Sequence, residues 1–274
     1  MTDSDKVLDL EAERAKREEK RRQVCLTDSV VLMKGEIRMA RSMAGLGGHK
    51  TATLNVGIFG PAGCGKSTFL NSYAAGNPAA LHFTAFKGTA RQVLGKIRDA
   101  IKDKRQSEGH HWTYSATPAH PDNREPNEHE NGRALAAFFK RWDCMLLVDE
   151  AQLLRDDVLD CLRSIADRSG VPMAFAFNEE TYEAFRKRPT VGQFTGRLTM
   201  PVRITEIDMH DDAAKFAGFL GVQGSEAIEL LAKEAVSRGG LRFVRQLVDR
   251  IEMRGQRLSL ENVTAESDVM RFWE

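Results

Sequence analysis

The sequence predicts an α/β fold, a parallel sheet with helices on both faces, followed by a small helical domain. Three observations carry this. Short apolar runs without polar alternation recur up to about residue 204, as strands buried on both faces require. Segments of helical apolar period separate them. After "MPVRI" (200–204) the strand-like runs stop and the helical period continues alone through residues 211–254.

Taken in order, residues 1–50 read as a charged N-terminal arm and a leading helix. "MTDSDKVLDLEAERAKREEKRRQ" carries both charge signs and few apolar positions, so it reads as a solvated helix or as an arm touching DNA or a neighbouring subunit. "TDSVVLMKGEIRMARSMA" has amphipathic spacing, and "GLGGHK" breaks it. Residues 51–207 hold the α/β pattern. "LNVGIF" is a buried-type strand, "STFLNSYAAG" a helix ending at glycine, and "ALHFTAF" a second strand. "TARQVLGKIRDAIKDKR" is a helix with Val93, Ile97 and Ile101 on one face. Residues 106–133 are polar and rich in His, Pro and Asn, and read as a long surface insertion. Its histidines, His110, His111, His120 and His129, are irregularly spaced with no cysteine near, unlike a zinc ligand set. "ALAAFFKRW" is helical, "CMLLVDE" a strand, "DDVLDCLRSIADRSG" a helix and "VPMAFAFN" a strand. Residues 208–274 read as a helical lid and a C-terminal tail, "RFWE", that either docks a partner or packs back on the lid.

Composition sets the outer limits. The chain has 274 residues, of which 42% are apolar, enough for one large domain with appendages. A net charge of +1 excludes a polycation, so any nucleic-acid surface is local. No apolar run approaches the roughly 18–20 residues that cross a membrane, and the N-terminus lacks an apolar signal core. The expectation is a cytoplasmic protein. The four scattered cysteines, Cys25, Cys64, Cys144 and Cys161, form no CxxC pair and fit reduced thiols.

The chemistry concentrates at "GPAGCGKST", residues 60–68, directly after the first strand. Gly60, Gly65, Lys66 and Ser67 match G-x-x-x-x-G-K-[ST] in full. In such a loop the backbone of Gly60, Pro61, Ala62, Gly63, Cys64 and Gly65 wraps phosphate oxygens with its N–H groups, helped by the N-terminus of the helix that follows with Ser67 and Thr68. Lys66 reaches the β- and γ-phosphates, and Ser67 offers its hydroxyl to Mg²⁺. The expected ligands are therefore ATP and Mg²⁺. "MLLVDE" ends a strand in two acids where open α/β sheets bind ligands. Asp149 is the expected second holder of Mg²⁺, and Glu150 the group that polarises the attacking water. Asn178 closes the next strand as a group for the γ-phosphate or its water, or as a turn former. "QFTGRLTMPVRI" supplies Arg197 and Arg203. Arg197 is the first choice for an arginine acting on a neighbour's nucleotide, with Arg186 and Arg188 as fallbacks. In "GGLRFVRQLVDRI", Arg242 is placed to reach back from the lid, with Arg245 the alternative.

"GPAGCGKST", "MLLVDEAQLL", "FNEETYEAF", "QFTGRLTMPVRI" and "GGLRFVRQLVDRI" occur in the order typical of AAA+ ATPases. More narrowly, the set resembles the transposition-regulator branch typified by the phage Mu B protein. The likeness covers about residues 54–255 and is most telling in "LRSIADRSGVPMAFAFNEETYEAF" followed by "GRLTMPVRI". It implies a P-loop AAA+ core with a helical lid, and a bacterial or phage-encoded ATPase. Such a protein assembles on duplex DNA as a filament or ring when ATP is bound, recruits a transposase, and disassembles on hydrolysis. It implies nucleotide roles for Lys66, Ser67, Asp149, Glu150, Asn178, Arg197 and Arg242. It also implies DNA contacts just after the second strand, at Lys87, Thr89 and Arg91, with Lys96 and Arg98 further along; contacts of that kind are salt-sensitive and largely sequence-independent. Two departures stand out. About 50 residues precede the core and show no two-helix recognition pattern, and the His-rich insertion has no counterpart. Two other functions share the same nucleotide motifs: a helicase loader or effector switch, and a non-hydrolysing scaffold switched by ATP.

Overall fold

A computed structural model describes residues 25–46, 54–108, 127–188 and 191–272. Five strands, β1 (Val56–Gly60), β2 (Ala80–Thr84), β3 (Met145–Asp149), β4 (Met173–Asn178) and β5 (Met200–Arg203), pair in parallel in the order β2-β3-β4-β1-β5. The continuous apolar runs have a direct cause: alternate side chains enter two separate cores. Phe59, Leu81, Phe83, Leu146, Val148, Phe175 and Phe177 fill one. There they meet α3 (Ala90–Glu108), α4 (Glu128–Trp142) and α5 (Asp156–Ser169). Val56, Ile58, Met145, Leu147, Ala174, Ala176 and Val202 fill the other, under α1 (Asp28–Leu46) and α2 (Lys66–Ala75). Each fully buried Phe, Leu or Ile contributes roughly 1.5–3 kcal/mol. Register then brings strand ends together in two pairs, with Gly60 beside Asn178 and Asp149 beside Thr84.

Between β4 and β5 lie two short helices, α6 (Glu179–Arg186) and α7 (Val191–Thr195). After β5 the chain forms α8 (Glu206–Leu220), α9 (Ser225–Ser237), α10 (Leu241–Met253) and α11 (Leu260–Phe272) around a third core of Ala217, Leu231, Val244, Leu247, Ile251 and Val263. The stretch 211–254, read as helical throughout, is in fact interrupted. A left-handed Gly221 ends α8, and Arg238–Gly240 separates α9 from α10. Two buried carboxylates stitch α11 in place: Glu234 to Arg238 and Arg271, and Glu266 to Arg250 and Arg254.

The helix α1 spans both bodies. Met33, Ile37 and Ala40 sit in the sheet core. At one end Asp28 pairs with Lys215, and the Ser29 N–H donates to Asp212 Oδ1 at 3.4 Å. At the other, Arg41 binds the Asp143 carboxylate at 2.6 Å.

The polar insertion is shorter than its composition suggests. α3 continues to Glu108, and α4 starts at Glu128 rather than after Arg133. A capping box starts it: Asn127 Oδ1 accepts from the Glu130 N–H at 2.9 Å, while Glu130 Oε2 accepts from the Asn127 N–H at 2.8 Å. The arm 1–24, residues 47–50, His110, His111, His120, and Trp273 with Glu274 lie outside the described residues. No described helix is long and apolar enough to cross a membrane.

Candidate nucleotide site

The loop 60–65 joins β1 to α2 at the C-terminal edge of the sheet, where the neighbours of β1 run to opposite sides and a crevice opens. Lys66 begins α2 and is 8% exposed. Its ammonium donates to the carbonyls of Gly60 and Pro61, both at 2.8 Å, which centres the charge over the loop. Cys64 lies behind it, with its sulfur 3.4 Å from the Lys66 Nζ. Burial raises the Cys64 thiol above its ordinary value against the opposing pull of Lys66, so a neutral thiol backs the loop. Ser67 and Thr68 are exposed on the first turn of α2.

The acids follow at the end of β3. Asp149 is buried, and its Oδ1 accepts from the Glu150 N–H at 3.0 Å. Glu150 turns the chain sharply, at φ 53° and ψ 38°, into a 3-10 turn at Ala151–Leu153. From that turn Gln152 reaches back: its Nε2 donates to Glu150 Oε2, and its Oε1 accepts from the Asn178 N–H at 3.2 Å. Asn178 Oδ1 meanwhile accepts from the Glu180 N–H at 3.2 Å and caps α6. The turn-forming role is thus present, on a residue that also lines the cavity. Ser67 and Asp149 are hard oxygen donors of the kind Mg²⁺ takes when phosphate oxygens complete its shell. Asp149 keeps one oxygen outside that bond but does not line the cavity itself, so the pair fits that ion by donor chemistry alone.

These parts enclose a cavity of about 370 Å³, within the range of small-molecule sites. Ala62, Gly63, Gly65, Lys66, Ser67, Thr68, Glu150 and Asn178 line it from the sheet. Leu241, Arg242, Arg245 and Gln246 of α10 and Phe216 of α8 close it from the lid, and Cys25, Thr27 and Val30 close it from the start of α1. Both lid arginines reach the cavity, so the choice between Arg242 and Arg245 does not arise from position. Arg245 is shared with Asp249 at 3.1 Å. Three cations against the Glu150 carboxylate make the space suited to a polyanion.

Lid and loop touch backbone to backbone. The Leu241 N–H donates to the Gly63 carbonyl at 3.0 Å. A Cβ on Gly63 would fall 1.8 Å from the Gly239 oxygen, and one on Gly240 would fall 2.8 Å from the Gly63 carbonyl atoms. Gly63 and Gly240 also hold φ of +80° and +67°, so glycine is required there twice over.

The remaining expected residues sit elsewhere. Gly60, Pro61 and Cys64 form the back of the loop. Arg197 lies before β5, away from its own chain's cavity, paired with Asp167. Arg186 pairs with Glu183, and Arg203 lies 3.9 Å from Glu179. Arg188 binds Asp156 at 2.5 Å and the Leu154 carbonyl at 2.8 Å. Lys87 and Thr89 are exposed on the β2–α3 connection, and Arg91 is exposed on the first turn of α3. Thr89 and Gln92 cap α3, the Thr89 N–H donating to Gln92 Oε1 at 2.9 Å. Arg91, Lys96 and Arg98 line a second hollow with Phe86 and Asn131. Sequence reasoning missed Gln152, Gly240, Phe216, Gln246, Val30 of α1, and Cys25 and Thr27 just before it. Only Gln152 carried a local signal, an amide two positions after a strand-end acid.

A five-stranded parallel sheet in this order, a glycine loop leaving its β1 strand and a helical bundle after β5 define a P-loop protein with an AAA+ core. Residues 51–185 match the AAA domain family. Among solved structures, a DNA replication initiation factor superposes with a TM-score of 0.50 at 11% identity, over 90% of this chain and 66% of that one. The RuvB Holliday junction branch migration motor of Thermotoga maritima superposes with a TM-score of 0.49 at 15% identity, over 86% and 67%. At 11% identity the likeness to the initiation factor is one of fold alone. No curated protein matches the chain significantly.

Proposed function

We propose that this protein is an ATPase that regulates transposition. With ATP bound it assembles on duplex DNA as a filament or ring, engages a transposase, and disassembles when ATP is hydrolysed. The observation that supports the ATPase reading is the cavity in which Lys66, Ser67, Glu150, Asn178 and Arg242 converge from four separate parts of the chain. The order of the motifs supports the transposition reading, and the exposed Lys87, Thr89 and Arg91 offer a surface for duplex phosphates.

In this reading Lys66 and Arg242 hold the phosphates, and Glu150 accepts a proton from the attacking water as it approaches the γ-phosphorus in line. Asn178 holds the water or a γ-oxygen. Arg197 approaches from the neighbouring subunit, exchanging Asp167 for the leaving phosphates. Ser67 and Asp149 would hold Mg²⁺, which when bound neutralises charge on the β- and γ-oxygens.

The test is electron microscopy of the protein with duplex DNA under ATP, a non-hydrolysable analogue and ADP. Filaments or rings formed only with the triphosphates are expected. Tight ATP binding without assembly under any nucleotide would refute the transposition reading in favour of a loader or switch that needs its protein partner first.

A further inference from the structure

Resting on the ATPase reading, we propose that Gln152 is the positioning residue for hydrolysis, fixing the Glu150 carboxylate relative to the end of β4. Glu150 leaves β3 in a left-handed turn and half protrudes into the cavity, so its own backbone does little to set its carboxylate. Gln152 supplies both halves of a bridge. Its N–H donates to Glu150 Oε2, and its carbonyl accepts from the N–H of Asn178. One carboxylate oxygen is thereby fixed and the other is left to accept from water.

The residue type follows from the geometry. The bridge needs a donor and an acceptor on one planar group at the end of a long stem, and glutamine has both. Glutamate lacks the donor and brings a like charge, methionine keeps the length with neither function, and asparagine is one methylene short. The bridge also joins the two strand ends that face the γ-phosphate. A displacement of Asn178, which caps α6, is therefore felt at Glu150. Gln152 is half-buried on a short turn, so the fold does not depend on it.

Single-turnover hydrolysis, ATP affinity and thermal melting of the full chain test this with Gln152→Ala, Gln152→Met and Glu150→Gln, and with Gln152→Ala combined with Glu150→Gln. Wild-type hydrolysis strongly lowered by Glu150→Gln, to a rate that single-turnover measurement still reads, is the condition for the underlying reading; absence of hydrolysis in the wild type sinks that reading and not this one alone. Given hydrolysis, Gln152→Ala and Gln152→Met should each lower the turnover rate about tenfold or more. ATP affinity and melting temperature should stay at wild-type values. In the Glu150→Gln background, Gln152→Ala should cause no further loss, because it acts through that carboxylate. Rescue by Gln152→Met, which fills the same volume without either bond, or full additivity with Glu150→Gln, would overturn the proposal.

Discussion

Replacing Gly63 by alanine should release the lid. The new Cβ would lie 1.8 Å from the Gly239 oxygen and 2.6 Å from its carbonyl carbon, and both are backbone atoms that no rotamer change removes. Restoring ordinary contact requires the loop and the start of α10 to separate by about 1.5 Å. The 3.0 Å bond from the Leu241 N–H to the Gly63 carbonyl breaks at that separation, a loss of about 1 kcal/mol. Alanine at φ +80° adds about 1–2 kcal/mol. The docked lid is thus weakened by about 2–3 kcal/mol, or about 30- to 150-fold in its closing equilibrium. Hydrogen exchange at the Leu241 amide reads this directly and should accelerate by that factor, with ATP affinity falling alongside it. Gly239→Ala is the comparator. It carries the positive φ, +96°, but its Cβ meets nothing within 4 Å, so it bears strain without the clash. Equal effects from the two variants, or unchanged protection of Leu241 in Gly63→Ala, would refute a lid held by that contact.

Lys66→Ala should abolish measurable ATP binding and, with it, assembly on DNA; wild-type affinity in a titration would remove the loop from the site. Lys87→Ala with Arg91→Ala should weaken duplex binding and lower the slope of log affinity against log salt by about 2, and an unchanged slope would move the DNA surface elsewhere. In the lid, burial opposes ionisation of Glu234, but the hydrogen bonds from Arg271 and Arg238 outweigh it and hold the carboxyl below its ordinary value of 4.5. Its stabilisation is therefore complete above that value and is lost as pH falls through the lower folded one. The melting-temperature gap between wild type and Glu234→Gln should be constant near neutrality and shrink as pH falls below 4.5; a gap that does not shrink on acidification would contradict the assignment.

What could be read from residues alone was whatever chain spacing encodes. "GPAGCGKST" names its own geometry because loop, lysine and hydroxyl are contiguous, and the two-core sheet was legible because both faces demand apolar side chains. The start of α4 was misread from the polarity of "NEHENGR", although Asn127 and Glu130 carry a capping-box spacing. Phe216, Gln246, Thr27 and Val30 reach one cavity from segments nearly two hundred positions apart, and no local pattern announces that. Gly240 carries no signal of its own in the sequence. Its need for glycine comes from Gly63, and only packing brings that residue to it.

The helix α1 gives the cavity two kinds of wall. The strand ends that hold Lys66, Glu150 and Asn178 are anchored in a sheet buried on both faces and stay put. The opposite wall, Cys25, Thr27 and Val30 facing Phe216, is a seam between α1 and α8, closed at its rim by Asp28 with Lys215 and Ser29 with Asp212. A lid that swung away would open that seam as well as the Leu241–Gly63 contact. A nucleotide seated between the walls as proposed would then keep Lys66 and lose Arg242 together with whatever contacts it makes with the seam.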